Sequence, residues 1–128
     1  LRKRLERKKE AGANFIQTQM VMDSKIIERF CKEIARPLEM PVLAGVFLLK
    51  SAKNAHFINK VVPGAEIPTS ILNRLEKAKD PELEGICIAA EQVKKFVDIA
   101  KGVHIMAVKA EDKIPLILQK ANLSSLNL

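Results

Sequence analysis

Pro41-Val42-Leu43-Ala44-Gly45-Val46-Phe47-Leu48-Leu49 is an unbroken apolar run. It is too short for a buried helix of ordinary length and rich in Val and Leu, so it reads as a strand. No polar residue alternates with the apolar ones, the mark of a parallel strand covered on both faces. Two comparable stretches stand on either side: Phe15-Ile16-Gln17-Thr18-Gln19-Met20-Val21-Met22 and Val103-His104-Ile105-Met106-Ala107-Val108. Each reads as a further strand.

Helical signals fill the intervals. Residues 1–11 are dense in helix formers, with Glu6 and Glu10 set four apart among Lys and Arg, and Gly12 gives a stop. Asp23-Ser24 caps a helix carrying Ile26, Ile27, Phe30, Cys31 and Ile34, which Pro37 ends. Ser51 caps a helix with Ala52, Ala55, Phe57 and Ile58; Pro63-Gly64 is a loop; Pro68-Thr69-Ser70 opens a helix with Ile71, Leu72 and Leu75. Asp80-Pro81 starts a long helix over about 82–101, with Ile86, Ala89, Ala90, Val93, Phe96, Val97 and Ala100 inward and Gly102 stopping it. Gly85 within it signals close packing or a break. A last helix spans roughly 112–121 with Pro115 in its first turn, and the tail Ser124-Ser125-Leu126-Asn127-Leu128 is expected to fray. The pattern α-β-α-β-α-α-α-β-α predicts an α/β fold with a parallel sheet. Three strands make a thin sheet with two open edges, which points to an incomplete unit or to self-pairing.

The chain has 128 residues, 48% of them apolar and 29% charged, enough for one domain with a modest core. Lys and Arg total 22 against 15 Asp and Glu, a formal net charge of +7 that permits an anionic ligand. Five Phe and no Trp or Tyr argue against a stacking platform for nucleic acid, and the five Phe are placed in the core. Cys31 and Cys87 stand far apart without metal-ligand spacing and read as buried thiols in a reducing cytoplasm. No apolar run reaches the ~20 residues of a membrane span. The sequence opens with Leu1-Arg2-Lys3-Arg4 rather than Met, so it reads as a piece of something longer.

In parallel α/β folds the chemistry lies at the C-terminal ends of strands. Gln17 and Gln19 share one face of the first strand. Either they are core carboxamides bonded to backbone, or they form a donor and acceptor pair that reads a heteroaromatic ligand. Arg7, Lys8 and Lys9 could bind phosphate, though a solvated face explains them as well. His104 and His56 read as packed residues, since neither has a carboxylate or Cys at useful spacing. No phosphate-binding glycine loop, nucleophile elbow or zinc motif is present.

The residues Leu5-Glu6-Arg7-Lys8-Lys9-Glu10-Ala11-Gly12-Ala13-Asn14-Phe15-Ile16-Gln17-Thr18-Gln19, followed by Asp23, resemble the methylenetetrahydrofolate reductase family. Pro41-Val42-Leu43-Ala44-Gly45-Val46, the helix with Ala55 and Phe57, Ile67-Pro68 and Gly102-Val103-His104 follow the family in order. The resemblance implies a (β/α)₈ barrel with bound FAD. Residues 1–128 would then be a single domain forming its C-terminal portion, with the last three strands and their covering helices. Arg7 and Lys8 would contact the phosphate-bearing part of the flavin cofactor. Gln19 would sit by the flavin ring and contact the pterin or nicotinamide. Asn54 stands where well-known bacterial members carry a Gln, a substrate-binding carboxamide one methylene shorter. Met106 and Ala110 replace an aromatic residue and an Arg, which bears on how the folate's glutamate tail and the reductant are held.

The implied activity is reduction of 5,10-methylenetetrahydrofolate to 5-methyltetrahydrofolate, with NAD(P)H or a partner protein as electron donor. The family's catalytic acid lies on an early strand outside this sequence, so no residue here is expected to be catalytic. The chain alone is expected to be inactive and to bind FAD weakly or not at all, and to work as a homo-oligomer or with a partner subunit. The readings set against this one are a basic module binding nucleic acid or another anion and a non-catalytic, self-associating half-barrel.

Overall fold

The computed structural model describes residues 1–123; the tail expected to fray lies outside them. Three strands, β1 (Ile16–Met20), β2 (Val42–Phe47) and β3 (Gly102–Met106), pair in parallel in the order β1-β2-β3. Helix α1 (Arg2–Glu10) precedes β1, and α2 (Ser24–Phe30), continued by a π-helical turn Cys31–Ala35, links β1 to β2. Between β2 and β3 lie α3 (Ala52–Val61), α4 (Thr69–Lys77) and α5 (Pro81–Phe96). After β3, a 3₁₀ turn Glu111–Lys113 leads into α6 (Ile114–Lys120). The predicted α/β class, parallel sheet and element order are all present.

Local chemistry explains the helix starts. The Asp23 carboxylate accepts from the Lys25 N–H at 2.9 Å, the Ser51 hydroxyl from the Asn54 N–H at 3.0 Å, and the Asp80 carboxylate from the Leu83 N–H at 3.2 Å. Each satisfies a first-turn donor that has no partner within its helix. Gly12, at φ +112°, turns the chain out of α1 as expected.

Two apolar clusters hold the layers together. In the first, Val42, Ala44 and Val46 of β2 meet Ile27, Ala89, Val93, Phe96 and Ile117 from the helices. In the second, Leu49, Ala55, Ile58, Ile67, Leu75 and Ile88 gather α3, α4 and α5 above the end of β2. Gly85 lets α5 press on the chain leaving β2: a Cβ there would stand 1.8 Å from the Leu49 carbonyl oxygen. The close-packing reading of this glycine is the right one.

Several expectations need correcting. The sheet is not covered on both faces: Gln17 and Gln19 are exposed, and Leu43, Phe47 and every residue of β3 are only partly buried. Of the five Phe, only Phe96 is fully buried; Phe15 and Phe57 are exposed and Phe30 and Phe47 intermediate. Phe15 precedes the edge strand, and the inward residues of α3 are Ala55 and Ile58, which turns Phe57 to solvent. The long helix ends at Phe96, so Val97 is exposed, and Gly102 opens β3 instead of stopping α5. Cys87 is only partly buried, whereas Cys31 is buried and desolvation raises its thiol pKa above the ordinary value.

Candidate functional site

The C-terminal half of β1 is irregular, and the irregularity places the candidate carboxamides. Ile16 and Gln17 pair with Val42 and Leu43, but Met20 pairs with Gly45, so the register slips between Gln17 and Met20. A bulge of this kind re-aims side chains. The Thr18 hydroxyl fills the gap in the ladder. It accepts from the Gly45 N–H at 2.8 Å and lies 2.8 Å from the Gln19 carbonyl oxygen, to which it donates. The neighbouring Val21 N–H returns to the Gly45 carbonyl at 3.2 Å.

Gly45 is required where the bulge crosses β2. A Cβ there would lie 2.4 Å from the Gln19 carbonyl oxygen and 2.8 Å from that of Thr18. Gln17 and Gln19 both end exposed, and among the described residues neither side chain makes a hydrogen bond within the protein. They are not core carboxamides tied to backbone.

Asn54 sits at the start of α3, beside the end of β2. Its Oδ1 accepts from the Lys50 N–H at 3.1 Å, which assigns the amide's orientation and leaves Nδ2 as the group available to a ligand. Lys50 reaches across to the loop after β3, its Nζ donating to the Val108 carbonyl at 2.5 Å. Asn59 clamps the loop that follows α3: its Oδ1 accepts from the Ile67 N–H at 2.9 Å and its Nδ2 donates to the Ile67 carbonyl at 3.2 Å. That loop and the end of β1 enclose a cleft of about 720 Å³ lined by Met20, Met22, Asp23, Ile26, Glu66 and Ile67, among others.

Arg7 and Lys8 occupy the last turn of α1, exposed and without an ion-pair partner among the described residues. The next residue, Lys9, donates from Nζ to the Leu38 carbonyl, ahead of β2. The last turn of α1 is therefore held toward the N-terminal end of the sheet, whereas Gln19 lies toward the C-terminal end. Gln19 lies near the end of β1 and Asn54 in the first turn of the helix that follows β2, while the cation pair is held toward the opposite end of the sheet.

The histidines do no work at these strand ends. His104 is partly buried on β3, in register with Gly45. His56, expected to be packed, is exposed on α3 with Nε2 3.2 Å from Glu76 on α4. Among the described residues no three His, Cys, Asp or Glu side chains gather to hold a metal ion.

Sequence reading assigned no role of their own to Thr18 and Asn59. The first depends on a glycine in the next strand, Gly45, which no local pattern pairs with it. Nothing in the spacing announces the second.

Residues 1–122 match the sequence profile described as methylenetetrahydrofolate reductase. The chain belongs to the methylenetetrahydrofolate reductase family. It is also similar to the probable methylenetetrahydrofolate reductase (NADPH) of Caenorhabditis elegans, 29% identical over 128 aligned positions. That alignment takes in 93% of this chain and 19% of the relative, so the chain spans about a fifth of the relative's length. Membership accounts for the three parallel strands and six helices of the described residues, an arrangement consistent with part of the family's (β/α)₈ barrel. No helix among the described residues is long and apolar enough to cross a membrane.

Proposed function

We propose that this chain forms the C-terminal portion of the barrel of a flavin-dependent oxidoreductase that reduces 5,10-methylenetetrahydrofolate to 5-methyltetrahydrofolate. The observation that carries the reading is the family match over residues 1–122, which includes the strand ending in Thr18-Gln19.

The residues present fit FAD. Arg7 and Lys8 offer two adjacent, uncompensated cations to a pyrophosphate, and Gln19 offers an unpartnered carboxamide to a ring system. FAD is elongated, with its pyrophosphate well away from the ring, so the separation of these two groups suits it. Bound FAD would supply the hydride-carrying ring. Gln19 would orient the pterin or nicotinamide through its donor and acceptor, and Asn54 would add a donor from Nδ2 alone. The Thr18 hydroxyl and the absent Cβ of Gly45 fix the backbone that aims Gln19. The name of the nematode relative favours NADPH as the electron donor.

The test is a fluorescence titration of FAD with the chain. Weak saturable quenching is expected, weakened about tenfold or more in Arg7→Ala and Lys8→Ala, since a charge-assisted contact is worth roughly 1.5–3 kcal/mol. Quenching unchanged in both variants overturns the assignment of this pair. A chain that purifies with near-stoichiometric flavin overturns the view that it is insufficient alone.

A further inference from the structure

A second group of cations lies at the other end of the sheet. The loops leaving β2 and β3, the 3₁₀ turn Glu111–Lys113 and the first turn of α5 enclose a cleft of about 210 Å³. Lys50, Lys109 and Lys113 line it, with Glu82 and Asp112. The carboxylates are both spent on one lysine: Lys113 Nζ is 3.3 Å from Glu82 and 3.8 Å from Asp112. Lys50 and Lys109 make no ion pair among the described residues, and the three lysines and two carboxylates together leave the lining with a net charge of +1.

Lys50 is held in place rather than waving in solvent, because its Nζ donates to the Val108 carbonyl and so ties the two loops together. Lys109 is one residue further on, at φ +56° in a turn closed by the Ala110 N–H on the Ala107 carbonyl at 3.0 Å. Glycine or asparagine is the ordinary choice for such a backbone, and a long basic side chain there gains nothing for the fold.

We infer that this cleft is a phosphate-binding site, distinct from Arg7 and Lys8 and taking one phosphate group between Lys50 and Lys109. The cleft is too small for a whole folate or flavin. Its position is the one that phosphate sites often occupy in (β/α)₈ barrels, on the loops after the last two strands beside a short extra helix. To that extent the inference rests on the barrel reading proposed above.

The experiment is an amide-resolved NMR titration of the chain with inorganic phosphate, adenosine monophosphate and glutarate, with sodium chloride at matched ionic strength as control. Saturable shifts are expected at Leu49–Ser51 and Val108–Lys113 with phosphate. Lys109→Gly, which suits the turn's backbone, should weaken them about fivefold or more while the thermal midpoint holds or rises. Lys8→Ala should leave them unchanged. Binding by phosphate alone identifies free phosphate as the ligand; tighter binding by adenosine monophosphate identifies a nucleotide's phosphate. Shifts that do not saturate, that sodium chloride reproduces, that survive Lys109→Gly, or that glutarate elicits as tightly overturn the inference. FAD quenching measured on the same samples separates the two proposals: phosphate shifts lost in Lys109→Gly, beside FAD quenching that Arg7→Ala and Lys8→Ala leave unchanged, keep this site standing and the flavin contact of that pair not.

Discussion

Gly45 and Gln19 touch through their backbones: a Cβ on Gly45 would stand 2.4 Å from the Gln19 carbonyl oxygen. Neighbouring strands meet so closely only because β1 bulges across β2 at that point. Gly45→Ala must push β1 away, and overpacking of this kind costs typically about 1–3 kcal/mol. Urea denaturation should show the loss, and the Gln19 amide resonance should move with it. An alanine variant of wild-type stability would mean that the bulge is not rigid.

Gly85 sets helix propensity against packing. Propensity alone makes Gly85→Ala stabilising by about 1 kcal/mol. The new Cβ would meet the Leu49 carbonyl oxygen at 1.8 Å, and backbone cannot step aside as a flexible side chain can. The expected outcome is a net destabilisation of about 1–3 kcal/mol. A rise in the thermal midpoint would show that α5 can slide off the loop after β2 without penalty.

Thr18→Val removes the acceptor of the Gly45 N–H while keeping the side chain's shape. An unsatisfied buried donor costs about 1–3 kcal/mol. Thr18→Ser should restore most of the stability, because it returns the hydroxyl. Equal losses in both variants would assign the effect to packing instead.

The fold was largely legible in the residues, and the site only partly so. Unbroken apolar runs, the caps Asp23, Ser51 and Asp80, and the stop at Gly12 located nearly every element, because those signals act within a few residues. Phe15 and Phe57 were misplaced because their exposure depends on which side of an element its neighbours cover. The bulge at Thr18 could not be read either, since it depends on a glycine in another strand. Gln19 was singled out from its strand end; what aims it was not.

Arg74 joins α4 to α5 through a two-pronged contact, with Nη1 and Nη2 each 2.8 Å from a Glu91 carboxylate oxygen and Glu84 at 3.6 Å. The hydrogen bond from Arg74 lowers the pKa of Glu91 below its ordinary value. A carboxylate depressed in the folded state stabilises above its unfolded pKa, and that stabilisation disappears as pH falls through the folded value. Glu91 is more than half exposed, so screening holds the effect to under about 1 kcal/mol. Glu91→Gln should lower stability at neutral pH, and its difference from wild type should close in acid below the ordinary carboxylate range. A difference that persists there would mean the side chain acts through packing.

The two cysteines should separate under alkylation. Cys31 is buried, and its pKa is raised by desolvation, so little reactive thiolate forms near neutrality. Cys87 is partly accessible on α5. Iodoacetamide followed by mass spectrometry should label Cys87 first in the folded chain and both residues in urea. Equal rates in the native state would show that the turn Cys31–Ala35 opens readily.

The strands lie in the sheet in the order in which a ribosome makes them. β1 and β2 can therefore pair early, but Ala44 and Val46 gain their cover from Ala89, Val93 and Phe96 only after α5 has emerged. Roughly 50 residues separate Phe47 from Phe96, a delay of roughly 2–10 seconds at ordinary rates of synthesis. During that wait a finished apolar strand has only part of its cover, from Ile27, Cys31 and Ala35 made before it, and it is then that the growing chain is most open to misassembly and most in need of a chaperone.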